Sequence, residues 1–298
     1  MTTTTASKYT PIQKVGSGGY GEVWAVRDRA GQVFALKFLP DRAAHFVKSF
    51  REEAGKLLQL RGAPGVIQII DCDVDGPNPF ILMELADGSL LERIRGPMPS
   101  ETAVGVAVRL IASVRSAHQR GVVHRDIKPD NVLLKDGGVK LADFGLGKGA
   151  ASLLLTAGGA GTPGYMAPEQ RVGPALPASD IYGIGATLFH MLTGERPPED
   201  GSYLDPRSQV PACPATLAAI VWHMTAADWR ARPTLDRGER ALRDFLAVPP
   251  APDLRWGATG PSSSSGLEEL LKVVALLAGT ATIGLARTAP ARSNGRRR

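Results

Sequence analysis

A glycine run, a lysine and a set of carboxylates carry the first chemical hints in this chain. Gly16-Ser17-Gly18-Gly19-Tyr20-Gly21-Glu22-Val23 has the form GxGxxGxV. Glycines admit φ above zero and let backbone N–H groups approach phosphate oxygens, so a loop of this kind can cover a nucleotide's phosphates. Alone the motif is weak, because dinucleotide-binding folds use the same spacing between a strand and a helix, and ordinary turns use glycine too. Here residues 22–27 run into the turn Asp28-Arg29-Ala30-Gly31 and then another β-rich stretch, a hairpin pattern that speaks against the dinucleotide-binding version. Sixteen positions after Gly21 stands Lys37, in Phe34-Ala35-Leu36-Lys37, on the third strand of this pattern. An ammonium there can meet the α- and β-phosphates of a nucleotide if a carboxylate fixes its long stem. Glu53 is the chosen partner because it shares a helical face with Leu57 and Leu60, and Glu52 is the alternative. The plainer reading of any single Lys/Glu combination is a solvated surface pair worth under about 1 kcal/mol.

These groups need elements to hold them. Residues 9–84 read as short strands broken by one helix over 43–60, with further strands at 66–70 and 80–84 around the turn Gly76-Pro77-Asn78-Pro79. Beyond Pro99 the periodicity becomes helical: 103–120 with Ser100 as cap, 180–192 with Ser179 as cap, then 217–225 and 235–245. A small β-rich lobe followed by a larger helical one is α+β, with a cleft expected between the two. The chain's 298 residues, 43% hydrophobic and 21% charged, exclude a wholly disordered, collagen-like or many-span membrane protein. Cys72 and Cys213 form no CxxC or Cys/His pattern, so neither a disulfide framework nor a zinc site is expected, and a reducing compartment fits. No fixed-period repeat is present.

The decisive cluster is His124-Arg125-Asp126-Ile127-Lys128-Pro129-Asp130-Asn131, followed by Asp143-Phe144-Gly145, 17 residues beyond Asp126. With these motifs the chain resembles the eukaryotic-type (Hanks-type) serine/threonine protein kinases of bacteria, in the family's own order, from Tyr9 to Leu246. The resemblance implies a bilobal fold with an N-lobe over 9–85 and a C-lobe over 86–246. It implies Asp126 as the catalytic base or orienter of the substrate hydroxyl, Lys128 as the residue steadying the γ-phosphate, and Lys37 as the phosphate-binding lysine. Asp143 and Asn131 are implied as ligands of Mg²⁺ or Mn²⁺, which as hard cations prefer oxygen donors, and ATP is the implied nucleotide. The resemblance extends the nucleotide site to Val15, Val23, Ala35, Met83, Glu84, Ala86 and Leu133: Met83 as gatekeeper, Glu84 and Ala86 as hinge positions, and Val23, Ala35 and Leu133 around the adenine. Core packing is the plainer reading of each apolar one. His124 is read as a packed scaffold. Gly161-Thr162-Pro163-Gly164-Tyr165-Met166-Ala167-Pro168-Glu169 resembles the Ser/Thr version, with Thr162 set against Asp126 and Lys128. Glu169 is expected to pair with Arg232, and Asp180 to hold the backbone of the 124–131 loop. A pseudokinase scaffold is disfavoured because Lys37, Asp126, Asn131 and Asp143 are all present. A small-molecule kinase is disfavoured by Ala167-Pro168-Glu169.

Arg125 precedes Asp126, and in relatives so built it binds a phosphate on the activation segment. Thr156 or Ser152 is the expected autophosphorylation site, with Lys148 assisting and self-association in trans as the route. The first residues, 1–8, are expected to be flexible and show no secretory signal, which places the catalytic part in the cytoplasm. Residues 247–266 read as a Pro/Ser-rich linker. In the tail, 267–298, residues 273–286 are free of charge, and extending back to 270 gives 17 residues, short of the roughly 20 a span requires. A membrane span, an interfacial or partner-binding helix and a packed or disordered tail all stay open. The formal charge of +6 resolves by region: residues 247–298 hold seven basic and three acidic side chains, leaving +2 for the rest. That points to a tail meeting an anionic membrane or an acidic partner, and away from a nucleic-acid-binding fold.

Overall fold

Asp28 Oδ1 accepts hydrogen bonds from the backbone N–H groups of Ala30 (2.9 Å) and Gln32 (2.8 Å), the turn that an aspartate side chain favours. In the computed structural model, which describes residues 8–18, 21–39, 44–144, 162–199 and 204–247, this turn joins β2 (Gly21–Arg27) to β3 (Val33–Phe38). With β1 (Thr10–Gly18), β4 (Ile69–Asp73) and β5 (Phe80–Glu84) they form an antiparallel sheet ordered β1-β2-β3-β5-β4, and α1 (Ala44–Gln59) lies between β3 and β4 in sequence. The other lobe holds α2 (Ser100–His118), α3 (Pro177–Thr193), α4 (Ala215–Met224) and α5 (Leu235–Ala247). A small sheet of β6 (Gly88–Ser89), β7 (Val132–Lys135) and β8 (Gly138–Leu141) completes it. This is the α+β, bilobal arrangement expected.

Register decides which residues share a face. Val23 pairs with Lys37, Ala35 with Met83, and Lys37 with Ile81, so the two-residue period of a strand sets Val23, Ala35, Lys37 and Met83 on one face. That face belongs to the main core, together with Phe50, Ala54 and Leu57 of α1 and Leu60 just beyond it. The other face carries Val26, Leu36, Phe80 and Leu82 under Tyr9, Trp24, Phe34 and Phe38. Gly21 is required where it stands: its φ is +148°, and a Cβ there would lie 2.5 Å from the Phe38 carbonyl oxygen. The β1–β2 connection is thus a hairpin, with Gly18 opposite Gly21, and no helix follows the glycines as a dinucleotide-binding fold would demand.

The helical lobe is built around α3, buried without a break from Ser179 to Thr193. Gly183 lets this helix press onto the 124–131 loop, because a Cβ there would sit 2.8 Å from Ile127 Cβ and 3.0 Å from the Ile127 carbonyl oxygen. Gly183→Ala is expected to destabilise by about 1–3 kcal/mol through overpacking, outweighing the better helix propensity of alanine. A thermal melt that left the midpoint unchanged or raised it would contradict this.

Three expectations need correction. The strand expected at 66–70 is displaced to Ile69–Asp73. Instead, the Ile67 N–H donates to Leu141 O (3.0 Å) and the Leu141 N–H to Gly65 O (2.8 Å), so the apolar run 66–67 ties the loop before β4 to β8. Ser100 is the first residue of α2, behind Pro99, and makes no side-chain cap. Ser179 lies inside the first turn of α3, which starts at Pro177, a residue preset for that position by its fixed φ.

Candidate active site

Lys37 reaches from β3 toward α1 and meets both oxygens of Glu53, at 2.6 and 2.7 Å, and Asp143 Oδ1 at 3.1 Å. Glu53, not Glu52, is the partner. Burial opposes charge on the lysine, but the Glu53 and Asp143 carboxylates outweigh it and raise its pKa above the ordinary value. Burial raises the Glu53 carboxyl against the pull of Lys37. The Lys37 ammonium holds Asp143 below the usual carboxylate range, so this oxygen donor stays ionised. Asp143 keeps its side chain 45% exposed at the cleft and has φ +59°, a conformation costly outside glycine and persistent only where the surroundings enforce it.

The 124–131 loop is fixed from behind. Asp180, fully buried, accepts from the backbone N–H of Arg125 at Oδ1 (2.8 Å) and of His124 at Oδ2 (2.9 Å), with His118 Nε2 2.7 Å from the same Oδ2. His124 is wholly buried, its Nε2 2.9 Å from Ala142 O and its ring 4.5 Å from that of Phe144, while Nδ1 accepts from the Asp126 N–H (3.3 Å). It is the scaffold expected. At the front, Asn131 Nδ2 donates to Asp126 O (2.8 Å) and Oδ2 (3.0 Å). Lys128 Nζ lies 3.0 Å from Asp126 Oδ2 and donates to Thr162 Oγ1 (2.5 Å). Both donors crowd one carboxylate oxygen, and the other has no hydrogen-bond partner among the described residues. Asn131, its amide nitrogen occupied, can offer its amide oxygen to a cation.

The sequence of residues 9–248 matches the model of the Protein kinase domain family. This chain belongs to the protein kinase family. It is 39% identical over 202 residues to the serine/threonine-protein kinase PknL of Mycobacterium tuberculosis, covering 64% of this chain and 50% of that protein. It is 32% identical over 278 residues to the serine/threonine-protein kinase PkaA of Streptomyces coelicolor, covering 81% of this chain and 51% of that one. The chain thus spans about half the length of the curated relatives it matches. Among solved structures, a point-mutant PknI kinase domain of Mycobacterium tuberculosis superposes with a TM-score of 0.63, covering 80% of this chain and 96% of the other, at 23% identity. That likeness concerns the fold.

The structure places the remaining expected residues as follows. Val23 and Leu133 are partly buried against the core, and Ala35 and Met83 belong to it. Val15 is 43% exposed at a register shift of β1. The Glu84 carboxylate accepts from the Gln68 N–H (2.9 Å) and pairs with Lys140 (2.9 Å). Ala86 follows β5 in the link between lobes, and its N–H makes no hydrogen bond among the described residues. Glu169 and Arg232 form the expected pair, at 2.7 and 2.8 Å, with Ser179 Oγ donating to Glu169 (2.7 Å). Gly19, Tyr20, Gly145, Lys148, Ser152 and Thr156 lie outside the described residues, as do residues 1–7 and the linker and tail from 248 on, and the Ser17 side chain is not described either.

Sequence reasoning missed His118, which shares Asp180, and Gln170, whose Nε2 donates to Arg125 O (2.8 Å) while its Oε1 accepts from the Ala167 N–H (3.2 Å). Gln170 thereby ties the segment after Ala167 to the residue that carries φ +79° in the loop. Nothing in the residue types marks either of them, since their partners are backbone groups or a carboxylate 62 positions away.

Proposed function

We propose that this chain is a serine/threonine protein kinase that transfers the γ-phosphoryl group of ATP, with Mg²⁺ or Mn²⁺, to Ser/Thr hydroxyls of proteins, itself included. The observation that carries the reading is the Asp126 carboxylate, held at one oxygen by Asn131 and Lys128 and without a hydrogen-bond partner at the other among the described residues. An oriented carboxylate of this kind accepts the proton of an attacking hydroxyl, and Lys128 beside it balances charge on the transferring group. Lys37, immobilised by Glu53, positions the α- and β-phosphates, and Ala86 N–H is the donor available to the adenine edge.

The donor set suits the implied cation. Asp143 offers an ionised, half-exposed carboxylate and Asn131 an amide oxygen, while no group of three or more His, Cys, Asp or Glu side chains able to hold a metal occurs among the described residues. A site of one carboxylate and one amide is completed by substrate phosphates and water, the manner in which Mg²⁺ is held, and the ion would neutralise charge between the β- and γ-phosphates.

Autophosphorylation in trans is part of the proposal, with Thr156 or Ser152 as acceptor. It is supported by the Arg125 Nε, which is buried and without a hydrogen-bond partner among the described residues. We also take residues 9–246 as the catalytic unit, in a cytoplasmic setting, and the basic tail as a contact for an anionic membrane through residues 270–286. No helix among the described residues is long and apolar enough to cross a membrane. Incubation with γ-labelled ATP and Mg²⁺, with casein, myelin basic protein and the kinase alone as acceptors, tests the core of the reading. Label is expected on serine and threonine, and peptide mapping is expected to find phosphate between residues 146 and 162. No transfer to any protein with either cation would sink the reading.

A further inference from the structure

Lys56 stands three residues after Glu53 on α1, and its Nζ donates to the Phe144 carbonyl oxygen at 3.0 Å. Lysines on a helix surface ordinarily extend the ammonium into water. This one is drawn inward, where burial and the nearby Arg125 cation lower its pKa to about 8 against the opposing pull of Glu52, Glu53 and Asp180. Holding a charge there is costly unless the position itself is of use.

The peptide it grips is the one that follows Asp143. Asp143 sits at φ +59°, so its neighbours on both sides must hold it. On the side-chain end, Lys37 binds the carboxylate. On the chain end, the Phe144 ring is fully buried beside His124, and the Phe144 carbonyl is bound by Lys56. Helix α1 therefore grips Asp143 from two directions, through Glu53 and Lys37 and through Lys56 and the Phe144 carbonyl.

We propose that Lys56 is a positioning residue that latches α1 to the Asp143–Phe144 peptide and so sets the aim of the Asp143 carboxylate; this rests on the reading of Asp143 as cation ligand. Loss of the donor frees the peptide to relax while leaving Lys37, Glu53 and the core in place. The defect then falls on cation use and turnover, since a displacement of about 1 Å at a reacting group is enough to cost up to 10²-fold in rate.

The test compares Lys56→Met, which keeps the stem and removes the donor, with Lys56→Arg, which restores a donor able to reach a carbonyl, in the full chain. For Lys56→Met, kcat is expected to fall about tenfold and the Mg²⁺ concentration for half-maximal rate to rise about fivefold, with KM for ATP within about twofold of wild type. Thermal midpoints are expected to agree within a few degrees, and Lys56→Arg to recover most of the rate. A wild-type Mg²⁺ dependence and kcat in Lys56→Met would overturn the proposal. So would a loss of rate that simply tracks a loss of folded protein, or one that Lys56→Arg fails to recover. Asp143→Asn is measured alongside: full activity there would remove the reading beneath the proposal, whereas an inert Asp143→Asn beside an unaffected Lys56→Met would remove the latch alone.

Discussion

Asp126→Asn is expected to lower the rate of phosphoryl transfer by about 10²–10⁴-fold, the usual weight of a positioned general base, with the thermal midpoint nearly unchanged. The substitution preserves shape, and an amide oxygen at the Oδ2 position, which in the wild type lies 3.0 Å from both Asn131 Nδ2 and Lys128 Nζ, still accepts from them. What disappears is the negative charge and the oxygen able to take a proton from the attacking hydroxyl. Binding of ATP rests on other residues, Lys37 and Glu53 among them, so KM for ATP is expected to stay within about threefold, and a fall in kcat and kcat/KM together marks an interaction made only in the transition state. Steady-state transfer from γ-labelled ATP to a protein acceptor measures both. Retention of more than a tenth of the wild-type kcat would exclude Asp126 as the base.

Much of this site was legible because it rests on side chains at fixed spacing. Glu53 was chosen over Glu52 on helical phase alone, and it is Glu53 that meets Lys37. The β2 and β3 strands were readable because alternating apolar residues flank a turn that Asp28 itself builds. The strand at 66–70 was misplaced for an equally physical reason. Val66 and Ile67 look like strand interior because they are apolar and β-branched, but the backbone they pair with is that of Leu141, more than 70 positions on, and local periodicity says nothing of a partner. Lys56, Gln170 and His118 were illegible on the same grounds. Each acts on a carbonyl, or on a carboxylate already assigned, and a carbonyl oxygen has the same chemistry at every position of a sequence.

Two strained loop residues of the helical lobe are held in the same way. Arg125 and Asp143, at φ +79° and +59°, are each clamped by groups outside their own segments. Asp180 and Gln170 hold Arg125 at its N–H and its carbonyl, while Lys37 and, in our proposal, Lys56 hold Asp143. Aim of the Asp126 and Asp143 carboxylates is thereby a property of α1 and α3 as much as of the loops that bear them.

Arg232→Met is expected to be the most damaging single change to stability, at about 3–5 kcal/mol, because it takes a buried guanidinium from a partly buried carboxylate and from two backbone carbonyls. The Arg232 side chain has no exposed surface, and besides both oxygens of Glu169 it donates to the carbonyls of Ala226 (2.8 Å) and Ala178 (2.9 Å). Its guanidinium also lies 5.1 Å from the centre of the Tyr182 ring. Methionine fills much of the volume but serves none of these acceptors, and Glu169 is left with Ser179 as donor. At about 2–4 °C per kcal/mol for a domain of this size, the thermal midpoint should fall by roughly 6–20 °C. The pH dependence carries a sign. Burial raises the Glu169 carboxyl, but the Arg232 and Ser179 hydrogen bonds outweigh it and hold its pKa below the ordinary value. Its contribution in the wild type is therefore full above the unfolded carboxyl's pKa, near 4.3, and fades as pH falls through the lower folded value. In Arg232→Met burial acts unopposed by the cation, so protonation relieves the variant, and the gap between the two midpoints should narrow from pH 7 to pH 4. Glu169→Gln added to Arg232→Met should recover part of the loss by removing the stranded charge. A midpoint within about 3 °C of wild type at pH 7, or a gap that widens toward pH 4, would mean that the pair does not anchor α3 to the segment ending at Glu169.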